Sequence, residues 1–301
     1  MKRSIPIIII LLTLISADVR AGNDVSEYQY KKTRDHVAYV HQAADLLEEK
    51  GEKAFEEFRE KESKWFNQDR YLFVYDLTGK NIFHPSNPEL EGQDLINLKD
   101  IDGKPLIRFL VDAVNRDESG SGWVHYSWIE HGDIFPLRKS SYVIKVTTPS
   151  KKEYLIGSGL YNMRLEKKFI VDIIDRAVSL TKENGTKAFD VFRDKSQPYD
   201  FHDIYIFVIK DDGTAVVDPA FPTMEGRNLL DLKDAVGKYI FRDLIKKLEN
   251  RDAVWLDFMW PKEGEWRPSR NVMYARKVLI GDTCYIVGSS IPLADPIWLR
   301  M

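Results

Sequence analysis

The chain repeats a series of short motifs at one constant offset, and this repeat constrains its fold more than any other feature. GEKAFEEFR at 51–59 returns as GTKAFDVFR at 185–193, and YLFV at 71–74 returns as YIFV at 205–208. The Glu–Gly pairs at 91–92 and 225–226 keep the same spacing. Solenoid repeats recur every 20 to 50 residues or so. The offset here is 134 residues. A period of this length therefore predicts duplication of a whole domain.

Each copy has the pattern of a long amphipathic helix followed by strands. Apolar residues recur at spacings near three and four in 24–67 and again in 163–196. Aromatic and β-branched runs then meet at an Asp–Gly turn, which is typical of a hairpin, and a polar loop, a short helix and three more strands follow. The sequence predicts an α+β fold in which residues 24–161 and 163–295 each form an antiparallel sheet packed on a long N-terminal helix.

The N-terminus has the segment order of a secretory signal peptide. Lys2 and Arg3 precede an apolar run at 5–15, and small or aliphatic residues precede a predicted cleavage after Ala21. The run is shorter than the ~20 residues that a membrane-spanning helix needs. We therefore predict that residues 1–21 are removed and that the mature protein is periplasmic or secreted. An uncleaved membrane anchor is the alternative.

Charge, cysteine content and motifs argue against several classes of function. The formal net charge is −3 without a basic cluster, whereas nucleic-acid binding depends on neutralising phosphates. Cys284 is the chain's one cysteine, and its apolar surroundings predict an inert core thiol. No nucleophile elbow, phosphate-binding glycine loop or zinc-binding motif is present. The sequence predicts no catalytic residue, cofactor or metal site.

An ordered set of motifs runs through the first copy. It contains Tyr71-x-Phe-Val-x-Asp76, His84-Pro85, Leu98-Lys-Asp100, Gly122-Trp, Tyr126-Ser-Trp128 and Gly157-Ser-Gly-Leu-Tyr161. This set resembles the Cache family, the extracellular sensor fold of chemoreceptors and sensor kinases, and within it the second single-Cache type. The resemblance covers roughly 30–161, and a weaker copy covers 164–295.

The resemblance implies a PAS-like antiparallel sheet backed by a long helix, with a ligand pocket between the sheet and its covering loops. It also implies a small ligand such as an organic carboxylate or an amino acid. Cache domains usually precede a cytoplasmic signalling module. This chain is expected to be a stand-alone, exported version that reports to a membrane receptor or a sensor kinase.

Seven residues of the first copy are predicted to bind the ligand. Cations and hydroxyls suit a carboxylate, because charge-assisted hydrogen bonds are about twice as strong as neutral ones, and aromatic walls suit its apolar part. Core packing is the alternative for the aromatic residues, a solvated strand edge for the lysines and a turn cap for the histidine. The seven are His84, Tyr126, Trp128, Arg138, Lys139, Tyr142 and Lys145.

The second copy differs from the first at these positions. Taken at offsets of 131 to 134, it has lost the histidine and two hydroxyls and gained a carboxylate. We therefore expect the first domain to bind the ligand and the second to bind something else or only to support it. The equivalent residues are predicted to be Asp218, Phe258, Trp260, Arg270 and Arg276, with Met273 in place of Tyr142.

The sequence thus favours an extracytoplasmic small-ligand sensor or solute-binding protein. The alternative is a structural protein whose Cache folds have lost their ligand and which partners a membrane receptor or sensor kinase. An exported hydrolase would need a nucleophile and base that the sequence does not contain. Exposed faces on the long helices predict a homodimer.

Overall fold

The computed structural model describes residues 25–67, 70–129, 134–261 and 267–293. The predicted signal peptide lies outside these residues. The described chain is α+β and contains two five-stranded antiparallel sheets, one in each sequence repeat. We call residues 25–161 the first repeat and residues 163–293 the second repeat.

The first repeat begins with a helix that is broken once and is followed by its sheet. Its elements are α1 (Lys31–Lys50), a 3-10 turn (Gly51–Lys53), α2 (Ala54–Arg59), β1 (Phe73–Asp76), β2 (Asn81–Phe83), α3 (Leu106–Asn115), β3 (Ser121–Trp128), β4 (Leu137–Thr147) and β5 (Glu153–Tyr161). The strands lie in the order β2-β1-β5-β4-β3.

The second repeat has the same succession of elements with one added short hairpin. Its elements are α4 (Lys167–Asn184), a 3-10 turn (Gly185–Lys187), α5 (Ala188–Arg193), β6 (Asp200–Phe201), β7 (Ile204–Tyr205), β8 (Phe207–Lys210), β9 (Ala215–Val217), α6 (Ile240–Leu248), β10 (Ala253–Pro261), β11 (Pro268–Ile280) and β12 (Thr283–Pro292). Its main sheet has the order β10-β11-β12-β8-β9.

The predicted long helix ends earlier than expected and changes direction at the shared glycine. Gly51 has a φ of +61°, and its N–H caps α1 by donating to the Leu47 carbonyl. Gly185 does the same for α4 with Thr181. A residue with positive φ ends a helix at little cost only when it is glycine. This requirement explains why the glycine recurs in both copies.

Each sheet buries one face under the long helix and the other under the short helix. In the first repeat Val40 of α1 packs with Ile144 and Ile156. Leu110 of α3 packs with Val143 on the opposite face. Alternation along the strands puts even-numbered residues of β4 toward α1 and odd-numbered ones toward α3. The face under α3 is the one that carries the pocket described below.

The repeated arginine and glutamate hold the helix end to the loop in both copies. Arg59 pairs with Glu91 at 2.7 Å, and Arg193 pairs with Glu225 at 3.0 Å. Each glutamate also accepts the backbone N–H of the residue at position 84 or 218. The motifs that repeat in the sequence are therefore largely scaffold contacts.

The second repeat packs against the edge strand of the first sheet and the start of α1. His125, on the edge strand β3, is stacked on Phe201 with ring centroids 4.0 Å apart and meets Phe169 edge-on at 4.7 Å. The fully buried Glu166 accepts the backbone N–H groups of Gln29 and Tyr30 at the start of α1. These contacts hold the two repeats together.

Candidate ligand-binding site

Three strands of the first sheet place a row of polar side chains under α3. Tyr126 on β3 lies directly opposite Lys139 on β4, and Lys139 lies opposite Tyr161 on β5. Residues directly opposite in a ladder project on the same face. A cation therefore stands between two phenols, and on the same face the Ser141 hydroxyl lies 2.8 Å from that of Tyr126.

Lys139 is buried among aromatic rings. Only 1% of its surface is exposed, and its ammonium donates to the Tyr71 hydroxyl at 2.5 Å and the Tyr161 hydroxyl at 3.3 Å. The same nitrogen lies 4.4 Å, 4.7 Å and 5.9 Å from the ring centroids of Tyr71, Tyr161 and Trp128. Such rings attract a cation through their quadrupoles. Burial of an ammonium is strongly unfavourable, and here the hydroxyls and the aromatic rings around Lys139 offset part of that cost.

His84 is a neutral hydrogen-bond donor at pH 7. Its Nδ1 accepts the backbone N–H of Asn87 at 3.0 Å, which leaves the ring proton on Nε2. Burial, reinforced by the charge of Lys139, lowers the pKa of His84 to about 3. The Asn87 bond is the turn cap considered from the sequence, and the ring also packs on Tyr71 at 5.1 Å. The histidine serves both the turn and the cavity wall.

A small cavity lies where these groups meet. Its volume is about 10 Å³, about that of one water molecule. The indole Nε1 of Trp128 is buried and has no hydrogen-bond partner among the described residues. No aspartate or glutamate is among the described lining residues, so the cavity presents donors set in an apolar wall. The lining is Phe73, Tyr75, His84, Leu106, Ile107, Leu110, Tyr126, Trp128 and Lys139.

The structure brings four of the seven predicted residues to this cavity and places three elsewhere. Arg138 is 53% exposed and pairs with Asp203 of the second repeat. Lys145 pairs with Glu153 at the far end of β4. Tyr142 lies on the α1 face, with its ring 5.4 Å from that of Trp123. Tyr142 was misplaced because it is an odd number of residues from Lys139 along the strand, which puts it on the other face.

Tyr71, Tyr161 and Gly159 belong to the site, and sequence reasoning missed them. A Cβ on Gly159 would lie 2.6 Å from Ser141 Oγ and 3.0 Å from Lys139 Cγ, so the glycine leaves room for the lysine. All three residues stand in the motifs that repeat or carry the family resemblance. The signal that could have found them is strand alternation, because Tyr161 and Gly159 share a face.

The sequence profile of the Cache domain matches residues 36–194 and 167–295, and these two matches together span most of the chain. The chain belongs to the Cache domain family. The Cache domain is a sensor domain that occurs in chemoreceptors and sensor kinases.

Two curated relatives are signalling proteins much longer than the aligned region. The methyl-accepting chemotaxis protein McpP of Pseudomonas putida is 32% identical over 113 residues, which are 38% of this chain and 20% of that protein. The sensor histidine kinase MctS of Rhizobium johnstonii is 30% identical over 96 residues, 32% of this chain and 20% of that protein. The match thus spans about a fifth of each relative.

Solved structures of two chemosensory domains are also similar to this chain. A Cache chemosensory domain, described in terms of carboxylic acid recognition, is 30% identical over 44% of this chain and 94% of its own, with a TM-score of 0.37. The ligand-binding domain of the Pseudomonas aeruginosa amino acid chemoreceptor PctC, solved with GABA, covers 85% of this chain and 90% of its own at 11% identity, with a TM-score of 0.31.

Two further properties concern only the described part of the chain. None of its helices combines the length and apolar character required to cross a bilayer. Within the same residues, no three histidine, cysteine, aspartate or glutamate side chains come together as a metal-binding group.

Strand pairing in the second Cache domain corrects the residue equivalences predicted for β11. Phe258 lies opposite Asn271, as Tyr126 lies opposite Lys139. Asn271 is therefore the counterpart of Lys139, and Arg270 is that of Arg138. Tyr274 and Lys277 correspond to Tyr142 and Lys145 by the same register. The predicted offset was wrong by one residue, and a shift of one residue exchanges the two faces of a strand.

The second domain has its own cavity at the equivalent place. Its volume is about 60 Å³, and Asp218, Phe258 and Trp260 are in its lining. Arg270 and Arg276 are outside it, because they pair with Asp257 and Asp175. Asn271 donates to the Trp260 and Ser269 carbonyls. The buried lysine of the first site has thus been replaced by an amide, and the histidine by a carboxylate.

Replacing Asp218 with asparagine should stabilise the protein by about 2 kcal/mol at pH 7.5. Burial raises the pKa of Asp218 to about 6. Since this folded-state value exceeds the unfolded one, the carboxylate's contribution to stability is complete at low pH and is lost as the pH rises through 6. The gain should therefore be smaller by about 1 kcal/mol at pH 5.5.

Urea unfolding at the two pH values measures this gain. Asp190→Asn is the matched control, since that side chain is 86% exposed. A gain that is the same at both pH values, or equal to that of the control, would contradict the assignment.

Proposed function

We propose that this protein is an extracytoplasmic sensor that binds a short-chain organic carboxylate in the Lys139 cavity of its first Cache domain. Residues 24–161 and 163–295 are the two domains, and residues 1–21 direct export. The observation that carries the proposal is the buried ammonium of Lys139, surrounded by aromatic rings and accompanied by the donors His84 and Trp128.

The residue types favour a carboxylate over other small ligands. A carboxylate accepts several hydrogen bonds, and charge-assisted bonds such as those that the Lys139 ammonium can donate are the stronger kind. Leu106, Ile107 and Leu110 of α3 form the opposite, apolar wall, which suits a short alkyl chain. An amine would instead meet Lys139 with a like charge.

Ligand entry requires the cavity to enlarge. At about 10 Å³ it holds no more than one water molecule. We propose that the carboxylate takes the place of the two phenol oxygens that Lys139 now contacts, on Tyr71 and Tyr161. The two phenols would have to move away from Lys139 as the carboxylate binds. Binding would therefore move the chain before β1, which carries Tyr71, and the end of β5, which carries Tyr161.

Such movement has a direct route to the second domain. The residues on either side of Lys139 touch the β6–β7 hairpin: Arg138 pairs with Asp203, and the Ser140 hydroxyl lies 3.2 Å from His202 Nε2. A change in β4 at Lys139 therefore reaches the domain interface within one residue. We propose that this strand transmits ligand occupancy to the second domain and from there to a membrane receptor or sensor kinase.

Replacing Lys139 with methionine should abolish stabilisation by the ligand. Methionine fills much of the same space but cannot donate to a carboxylate. For the unsubstituted protein, a matching acid at a hundredfold excess over its Kd should raise stability by about 2.7 kcal/mol. Thermal unfolding with acetate, propionate, butyrate, lactate and pyruvate measures the shift, with the corresponding amides as neutral controls.

The matched control is Lys145→Met, on the same strand and face but paired with Glu153 near the surface. It should keep the ligand-dependent shift. The proposal fails if Lys139→Met responds to the acids as the unsubstituted protein does. It also fails if no acid stabilises the unsubstituted protein.

A ligand-free interaction protein is the second candidate, and the nearly closed cavity favours it. In that case Lys139 and the two phenols form a permanent polar cluster, and the exposed faces of the long helices bind a partner or a second copy. Recovery of a membrane receptor from envelope extracts, to the same extent with and without added acids, would favour this candidate over the sensor.

A further inference from the structure

The crevice between the two Cache domains contains two neighbouring cavities. Their volumes are about 290 Å³ and about 260 Å³. Both are far larger than the Lys139 cavity. Arg116, Trp123, His125, Arg176 and Phe201 line both of them. These five residues come from both repeats, so the cavities are a property of the assembled pair of domains.

The two arginines approach the crevice from opposite domains. Arg116 follows α3 of the first domain and is exposed, whereas Arg176 is half-buried in the middle of α4 of the second domain. Arg176 donates its Nε–H to the Asp172 backbone carbonyl at 3.2 Å, and its guanidinium lies 5.7 Å from the Tyr199 ring centroid. Neither arginine forms an ion pair with a carboxylate among the described residues.

Four acidic side chains are among the described lining residues of the larger cavity, and each has a partner: Glu27 pairs with Lys168, and Asp117 accepts the backbone N–H of Ser119. The Asp172 carboxylate pairs with Lys168 at 3.2 Å, and Asp175 pairs with Arg276. Burial, followed by the charge of Arg116, lowers the pKa of Arg176 to about 10. Both arginines line the same two cavities, so an anion bound there would reduce the repulsion between their charges.

The 260 Å³ cavity is largely apolar apart from these arginines. Asp112 is the one acidic side chain among its described lining residues. The rest of the wall is mainly aromatic and aliphatic, including Phe109, Leu180, Val191 and Tyr199 in addition to the shared Trp123 and Phe201. A cationic pair at one side of an apolar wall matches an amphipathic anion.

We infer that this crevice is a second ligand site, which takes an organic anion with an aromatic body, such as an aryl carboxylate, between Arg116 and Arg176. The apolar walls accommodate the ring, and the two guanidiniums bind the carboxylate. Planar guanidinium forks suit carboxylates in particular. Because one arginine belongs to each domain, the bound anion would fix the position of one domain relative to the other.

The test uses the intact protein and 4-fluorophenylacetate as the probe. Its ¹⁹F resonance should broaden on binding, and titration gives the Kd. Arg116→Gln and Arg176→Gln should each weaken binding at least tenfold, while the neutral 4-fluorophenylacetamide should not bind. Arg116 is exposed, so its replacement leaves the core intact.

Two control variants keep the charge change but lie outside the crevice. Arg108→Gln is on α3, where Arg108 donates to Asn97, and Lys182→Gln is on the exposed side of α4. Both should bind the probe as the unsubstituted protein does. Lys139→Met should also bind it normally, which separates this site from the carboxylate cavity. The inference is overturned if the probe does not bind, or if Arg116→Gln or Arg176→Gln retains the original Kd.

Discussion

Lowering the pH from 7 to 5.5 should destabilise the protein by about 4 kcal/mol, a large part of the 5 to 15 kcal/mol or so that holds a typical domain folded. The effect comes from four histidines that stay neutral in the folded state, three of them buried and His202 half-buried. Burial lowers the pKa of His36 and of His202 to about 4 and that of His84 to about 3, and it holds that of His125 well below its usual range.

The direction follows from the order of the two pKa values for each histidine. The folded-state pKa lies below the unfolded value of 6.5, so the stability due to the neutral ring is present above 6.5 and is lost as the pH falls toward about 4. Each histidine should lose about 1.2 kcal/mol between pH 7 and 5.5. Asp218 has the opposite sign and offsets about 1 kcal/mol of the total over the same interval.

The neighbours of these histidines reinforce the effect. Lys139 faces His84, while Arg138 and Lys104 act on His202, together with the opposing Asp203. His125 and His202 lie at the domain interface, where Ser140 bonds to both. The interface should therefore weaken in acid together with the cores of the domains.

Urea unfolding at pH 7, 6.5, 6 and 5.5 measures the loss. His36→Gln is the single variant to compare, because His36 contacts the Ser158 carbonyl at 2.9 Å and an amide can donate to the same oxygen. It should reduce the total loss by about a quarter. A free energy of unfolding that changes by less than about 1 kcal/mol over this range would contradict the neutral, buried state of these rings.

The fold was predictable because its signals are repeated and local. The α+β class and the two antiparallel sheets with N-terminal helices follow from hydrophobic periodicity, which occurs in both copies. The match to the Cache domain confirms the family resemblance. The end of the helix at Arg59 rather than near residue 67 was not predicted. Lys61, Trp65 and Phe66 continue a helix-like composition, but Trp65 instead packs against Tyr39 and Phe58. Tertiary packing decided that boundary.

The site was less predictable because it depends on strand register. Tyr126 and Trp128 share one face of β3, and Lys139, directly opposite Tyr126 on β4, projects on the same face. Tyr142 was predicted at the site from its residue type alone, although it lies on the other face of β4. In the second domain, the offset of 131 made Arg270 seem equivalent to Lys139, although pairing with β10 makes Asn271 the counterpart. The two copies differ by one residue in the turn between their last two strands, because Lys139 and Gly159 are 20 residues apart whereas Asn271 and Ser290 are 19 apart. An offset of 131 is right for the last strand but shifts β11 by one residue, which exchanges its faces.

Replacing Gly159 with alanine should abolish ligand binding at the Lys139 cavity. The new Cβ would lie 3.0 Å from Lys139 Cγ and would also collide with its Cε, so the lysine would have to leave its position between the phenols. The colliding atoms are side-chain atoms, and we expect a stability cost of about 2 kcal/mol or less. The loss of the carboxylate-dependent thermal shift should be complete.

Gly157→Ala separates this effect from simple overpacking. Its Cβ would lie 2.6 Å from Val143 Cγ1 and 2.8 Å from the Tyr142 backbone oxygen, so the strands β4 and β5 would have to move apart. We expect about 3 kcal/mol of destabilisation. A Gly159→Ala variant that kept the acid-dependent shift of the unsubstituted protein would contradict the assignment of Lys139 to the ligand.

The second domain indicates how the two positions are coupled. There Asn271 replaces Lys139 and Ser290 replaces Gly159, and the shorter amide leaves space for the larger residue. The pair Lys139→Asn and Gly159→Ser should therefore cost less stability together than the sum of the single changes, with a coupling of about 1 kcal/mol or more. Urea unfolding of both single variants and the double variant measures this coupling. The double variant should fold normally and still fail to bind the acid, since the ammonium that the ligand requires is gone.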